Sequence, residues 1–174
     1  MSEWQLQGDR ISLGANVTMQ QLLEDPFLRK HIPVMAKSAV WFADDQIREQ
    51  ATLGGNLVNA SPAADATPPM LAMNAELTLQ RKHNGKIKHR KLSLDKFVTG
   101  PGKTSLEDGE LVTRIECDSM PGYGSAFEKV GHRRSLVIST VCLAALVSLS
   151  DNGRQFEDVR LALGGVGPVP VRLH

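Results

Sequence analysis

Three turn signatures, Gly8-Asp9, Asn84-Gly85 and Asp151-Asn152-Gly153, constrain this chain more than any other feature. Each combines residues that tolerate positive φ, so each predicts a strand folding back on its predecessor. Trp4-Gln5-Leu6-Gln7 and Arg10-Ile11-Ser12-Leu13 alternate polar and apolar residues around the first signature. Glu76 to Gln80 and Lys86-Ile87-Lys88 flank the second. Val137 to Leu149 and Glu157 to Leu163 flank the third, with a helix left open for the first of those two arms. Further strands are predicted at Glu110 to Cys117 and Ser125 to Val130.

Helical signals are short and lie between the strands. Thr18 caps Met19 to Glu24, which must stop before Pro26. Phe27 to Val40 has near-helical apolar spacing, with Pro33 against one straight helix. Ala66 to Ala75 predicts a helix with Pro68 and Pro69 in its first turn, and Leu94 to Phe97 a single turn. Thr99-Gly100-Pro101-Gly102-Lys103-Thr104 reads as flexible, and Pro121-Gly122-Tyr123-Gly124 as a boundary between units at 1–121 and 122–174.

Charge excludes some function classes. Twenty basic against nineteen acidic residues give a net charge of +1, so no general attraction to nucleic acid or to a membrane surface is expected. The basic run Lys82, Lys86, Lys88, His89, Arg90 and Lys91 is most simply alternating charge on an exposed hairpin. Met1-Ser2-Glu3-Trp4-Gln5 has no secretory pattern, and Leu136 to Leu149 is broken by Ser139, Thr140 and Ser148 and falls short of the ~20 residues of a span. A cytoplasmic location is therefore expected. Cys117 and Cys142 lie far apart in apolar runs, which predicts buried thiols and no iron–sulfur cluster held by this chain. His31, His83, His89, His132 and His174 share no metal-ligand spacing, so surface or structural roles and no metal site are expected.

Chemistry concentrates between Ala51 and Asp65, where Gly, Asn, Ser and Pro surround the apolar anchors Leu53, Leu57 and Val58. This mixture predicts an ordered, partly buried loop. Gly54 and Gly55 let the backbone approach a ligand closely, so that successive amides can form a phosphate-binding nest. Thr52 and Asn56 add a hydroxyl and an amide at the rim, and each bond to a charged oxygen contributes ~1.5–3 kcal/mol. Ser61 can donate to, and Asp65 accept from, a ribose hydroxyl. An isolated Gly-Gly-Asn is usually a plain turn.

The whole string Ala51-Thr52-Leu53-Gly54-Gly55-Asn56-Leu57-Val58-Asn59-Ala60-Ser61-Pro62-Ala63-Ala64-Asp65 resembles the second flavin motif of the molybdenum hydroxylase flavoproteins, the xanthine and carbon monoxide dehydrogenase group. The resemblance extends to Trp41-Phe42-Ala43, Phe97 to Thr104, Glu110-Leu111-Val112, Phe127-Glu128-Lys129-Val130 and Leu161 to Val166. It implies an α+β fold: a PCMH-type second FAD subdomain, with mixed or antiparallel sheet and flanking helices, followed by the start of a C-terminal α+β domain. It also implies that Thr52, Gly54, Gly55 and Asn56 hold the FAD diphosphate and that Ser61 and Asp65 support the nucleotide end. Phe42 would pack near the cofactor, the strand around Leu111 would approach the isoalloxazine, and Lys129 would lie near its polar edge. For Phe42, Leu111 and Lys129, core packing or a solvated charge is an equal alternative.

Such flavoproteins work beside a large subunit with the molybdenum cofactor and a small subunit with two [2Fe-2S] clusters. FAD passes electrons on to NAD or another acceptor, and no catalytic side chain is required here. Family members open with a further glycine-rich subdomain that grips the same diphosphate. Nothing like it precedes Trp4, and the second unit reads as stopping after its first hairpin. A chain lacking one grip, and with it ~4–8 kcal/mol of contacts, is expected to retain FAD weakly or not at all by itself. Two alternatives remain: a reductase of the enolpyruvyl-UDP-sugar type, and a flavin-free docking module.

Overall fold

The computed structural model describes residues 1–133 and 136–173. Strands β1 (Trp4–Gln7) and β2 (Arg10–Gly14) form the first hairpin, with Gly8 at φ +64°. Helix α1 (Met19–Glu24) begins with a capping box: Thr18 Oγ1 accepts from the Gln21 amide, and the Gln21 side chain accepts from the Thr18 amide. The segment with Pro33 divides into α2 (Pro26–His31) and α3 (Pro33–Trp41), as the missing proline N–H requires. Next come α4 (Asp45–Gln50), α5 (Leu53–Asn59) and α6 (Thr67–Ala72).

The rest of the chain is mostly strand. β3 (Glu76–His83) and β4 (Lys86–Ser93) turn at Asn84-Gly85, where both residues have positive φ. One helical turn, α7 (Leu94–Phe97), leads to β5 (Val98–Gly100) and β6 (Lys103–Thr104). Here the structure corrects the sequence: 99–104 is a small antiparallel hairpin, anchored where the Gly102 amide donates to Ala60 O at 2.9 Å. β7 (Leu111–Asp118) and β8 (Gly124–Val130) follow, then β9 (Val141–Leu149), β10 (Phe156–Gly164) and β11 (Val171–Leu173). The open arm at Val137 to Leu149 is a strand.

Beside the two-stranded β5-β6 hairpin, two larger antiparallel sheets result, ordered β1-β2-β7-β3-β4 and β11-β10-β9-β8. Register lines up one buried row, Leu13 opposite Ile115 opposite Leu77, on the inner face of the first sheet. Cys142, Ala144 and Leu146 alternate inward on β9, against α6 and α3. The buried apolar side chains of both sheets and the helices join into one core among the described residues. Cys117 and Cys142 are free and buried within it, and burial pushes their thiols up to about 12 and about 11. Among the described residues no helix is long and apolar enough to cross a membrane.

Two residues of the basic hairpin, Arg90 and Lys91, pair with neighbouring carboxylates. Lys91 pairs with Glu76 and Glu116, and Arg90 forks onto Glu110 at 2.8 and 2.7 Å. The Glu110 side chain is 4% exposed, and these bonds, with the Glu107 amide, hold its carboxyl at about 2 instead of 4.5. A carboxylate with a lower value folded than unfolded stabilises the fold above the unfolded value, and that stabilisation fades as pH falls toward the folded one. The stability gap between the wild type and Glu110→Gln should therefore be full above pH about 4.5 and shrink toward pH about 2, as read by urea unfolding across that range. A gap that does not change with pH would remove Glu110 as the cause.

Candidate functional site

The segment 51–65 is where structure and sequence differ most. Leu53 to Asn59 is a helix, and Gly54 and Gly55 sit in its first turn with no positive φ. Its first amides are all occupied. Leu53 N donates to Val17 O at 2.8 Å, Gly54 N to Ala15 O at 2.9 Å, Gly55 N to Thr52 Oγ1 at 3.0 Å and Asn56 N to Thr52 O at 2.9 Å. An amide nest open to phosphate is therefore absent from these four residues. Gly54 serves packing: a Cβ there would lie 2.8 Å from both Cβ and O of Ala15. Gly55 is exposed, and its Cβ would meet only Thr52 Oγ1 at 2.9 Å. Thr52 accepts the helix cap, so the proton of its hydroxyl is left to give outward.

Beyond the helix lies a cleft of about 490 Å³ that gathers Phe42, Asn56, Ser61 and Asp65. Ala43, Asp44, Ile47, Arg133, Val137 and Ile138 are among its other lining residues. Four of the nine site residues expected from the sequence thus meet in one concavity. Lys129 lies just behind it, Thr52, Gly54 and Gly55 mark the start of α5, and Leu111 stands apart, 65% exposed on β7. Phe42 rests partly on the core. Its backbone is fixed by the buried Arg48, whose guanidinium donates to Phe42 O at 2.9 Å and Ala43 O at 3.2 Å. Ala43 at φ +42° makes the tight exit from α3 that sets Phe42 at the rim.

Asp65 was expected to face a ribose as a free acceptor, and the structure gives its oxygens protein donors instead. Lys129 Nζ donates to Oδ2 at 2.8 Å, Ser139 Oγ to Oδ1 at 2.8 Å, and Ser38 Oγ to the Asp65 carbonyl at 2.8 Å. The Lys129 and Asp65 side chains are 1% and 9% exposed, so the pair is a buried clasp between the 51–65 segment and β8. Ser61 Oγ accepts from the Ala63 amide at 3.3 Å and keeps its proton for another acceptor. Asn56 Oδ1 is buried and has no hydrogen-bond partner, which is rare in a packed protein and leaves bonding capacity at the cleft wall.

Sequence reasoning missed Arg48, Arg133 and Ser139. For Arg133 a signal existed: Gly131-His132-Arg133-Arg134-Ser135 clusters basic residues beside glycine and serine. Arg48 and Ser139 carry no local signal, because their partners are distant in sequence. His31 is structural, its Nδ1 lying 2.7 Å from Ser119 Oγ and its ring against Phe27. His174 lies outside the described residues.

Comparison with known proteins bears on the family and the fold. The family described as "FAD binding domain in molybdopterin dehydrogenase" matches residues 1–117, and "CO dehydrogenase flavoprotein C-terminal domain" matches residues 125–174. The xanthine dehydrogenase FAD-binding subunit of Escherichia coli O157:H7 is 35% identical over 93% of this chain and 54% of its own length. The glyceraldehyde dehydrogenase medium chain of Sulfolobus acidocaldarius is 31% identical over 93% of this chain and 55% of its own. Among solved structures, reconstituted CO dehydrogenase from Oligotropha carboxidovorans superposes with a TM-score of 0.88 at 27% identity, covering 98% of this chain and 57% of that one. The chain thus spans about half the length of the curated relatives it matches.

Proposed function

The chain belongs to the FAD-binding domain family of the molybdopterin dehydrogenases, and from that premise we propose that it forms part of the FAD site in a molybdenum hydroxylase complex. The observation that carries this reading is the cleft itself, which brings Phe42, Asn56 and Ser61 together and has an orphaned amide oxygen in its wall. These residues suit a dinucleotide. Asn56 can accept from a hydroxyl or an amine and, after a half-turn of its amide, donate to an oxygen. The Ser61 and Thr52 hydroxyls each retain a proton for a sugar or phosphate oxygen, and the exposed Arg133 supplies a cation at the rim. Phe42 offers an apolar face for a ring.

Asp65, itself in the cleft lining, is held by Lys129 from behind, which fixes the segment that carries Ser61. Leu111 enters only as an exposed apolar side chain outside the cleft. FAD, when bound, supplies the redox chemistry, receiving electrons from the [2Fe-2S] clusters of a small subunit served by a large molybdenum subunit and delivering them to NAD or another acceptor. The protein's share is binding, orientation and exclusion of water. The two units proposed for this role remain 1–121 and 122–174.

Titration of the chain with FAD, followed by quenching of flavin fluorescence, tests the reading. Weak saturable binding is expected. Asn56→Leu should lower the affinity by about tenfold, the equivalent of one lost hydrogen bond, with unfolding midpoints unchanged. No binding by the chain, together with a flavin-free complex that still holds its partner subunits, would replace this reading by a docking role without cofactor.

A further inference from the structure

One stretch of the cleft wall has no regular secondary structure to hold it. Helix α3 ends at Trp41 and α4 begins at Asp45, so Phe42, Ala43 and Asp44, which all line the cleft, form the corner between them. Ala43 stands at φ +42°, a left-handed conformation that an alanine keeps only where its surroundings impose it. Local bonds account for part of that constraint. The Phe42 amide donates to Ala39 O at 3.2 Å, and the Asp44 carboxylate accepts from the Ile47 amide at 2.9 Å. The carbonyls of Phe42 and Ala43 are left over, and both end on the guanidinium of Arg48. Arg48 is 9% exposed, although a lone buried cation is costly. Its Nε donates to Gln20 Oε1 at 3.0 Å, and its other branch meets the Asp45 carboxylate. Gln20 lies on α1 and is itself bonded to Glu24 one turn further on.

From this we infer that Arg48 is a positioning residue for the ligand of the cleft: it ties the strained corner to α1 and so sets where Phe42 stands before any ligand arrives. The inference rests on the reading of the cleft as part of an FAD site. Arg48 is not itself a lining residue, so it acts through the corner and not by touching the ligand. A wall held in place in the empty chain removes an ordering cost that binding would otherwise carry, and affinity rises by that amount. Arginine suits the task because its planar fork reaches Gln20, two carbonyls and a carboxylate at once, whereas the three donors of a lysine diverge from a single point.

Titration with FAD, read by flavin fluorescence, tests the inference on the chain, or on its complex where the chain alone does not reach saturation. Arg48→Met should raise the dissociation constant on the order of tenfold, and Arg48→Lys, which keeps the charge and part of the fork, by about threefold. The decisive readout is a cycle with Phe42→Ala. If Arg48 works through Phe42, most of the loss caused by Arg48→Met disappears once the ring is gone; losses that simply add would make Arg48 a structural residue and overturn the inference. Should Arg48→Met fail to fold, Gln20→Leu carries the same cycle: it cuts only the tie to α1, and a loss of about threefold is expected. FAD binding that responds to Asn56→Leu but to none of the Arg48 and Gln20 variants would overturn the inference and leave the reading of the cleft standing. A wild-type chain and complex that take up no FAD would overturn both.

Discussion

Lys129→Met is expected to destabilise the fold by about 3–5 kcal/mol, because it leaves the Asp65 carboxylate buried without its cation. Methionine fills much the same volume, so the loss is electrostatic. The Ser139 hydroxyl still donates to Oδ1, but one neutral bond does not offset the desolvation of a charge. The orphaned Val137 carbonyl, which accepts from Lys129 Nζ at 3.0 Å, adds to the penalty. Asp65→Asn in the Lys129→Met background removes the stranded charge and should recover part of the loss. Urea unfolding of the two single variants and the double variant gives the coupling directly. Equal losses in Lys129→Met and in the double variant would place the effect in packing and dissolve the clasp.

Gly54→Val is the second large effect, at about 3 kcal/mol or more, set against almost none for Gly55→Ala. At Gly54 the obstruction is Ala15, including its backbone oxygen, and the Gly54 amide is bonded to that same oxygen, so neither side can retreat. At Gly55 the only neighbour is the Thr52 hydroxyl, and the gain in helix propensity from Gly to Ala, about 1 kcal/mol, offsets the crowding. An amide nest would make the two glycines equivalent for ligand and unimportant for stability. Comparable unfolding free energies for Gly54→Val and Gly55→Ala would restore that picture.

What the sequence disclosed, and what it hid, follows from the range of the interactions involved. Hairpins at Gly8-Asp9 and Asn84-Gly85 were legible because their turn chemistry is local, and so was the capping box at Thr18. Helix α5 was hidden because Leu-Gly-Gly-Asn has poor helix propensity, and the helix is started by bonds to Val17 and Ala15. The stretch Thr99 to Thr104 reads as flexible for the same reason, the anchor of its hairpin being Ala60. In the candidate site, Phe42, Asn56, Ser61 and Asp65, named through resemblance, line one cleft. Arg48 and Ser139, whose roles are set by partners from other elements, left no trace in spacing or composition.

Asp118, at the end of β7, accepts from Arg10 at 2.9 Å, Asn74 at 2.6 Å and Arg160 at 2.6 Å, while Tyr123 donates to Asp158 at 2.9 Å. The stretch between the two sheets is thus tied on both sides, which disfavours hinge motion there. The cleft takes lining residues from before and after that junction. For the ligand proposed above, entry and exit should then proceed by local rearrangement at the mouth of the cleft, not by separation of the two sheets.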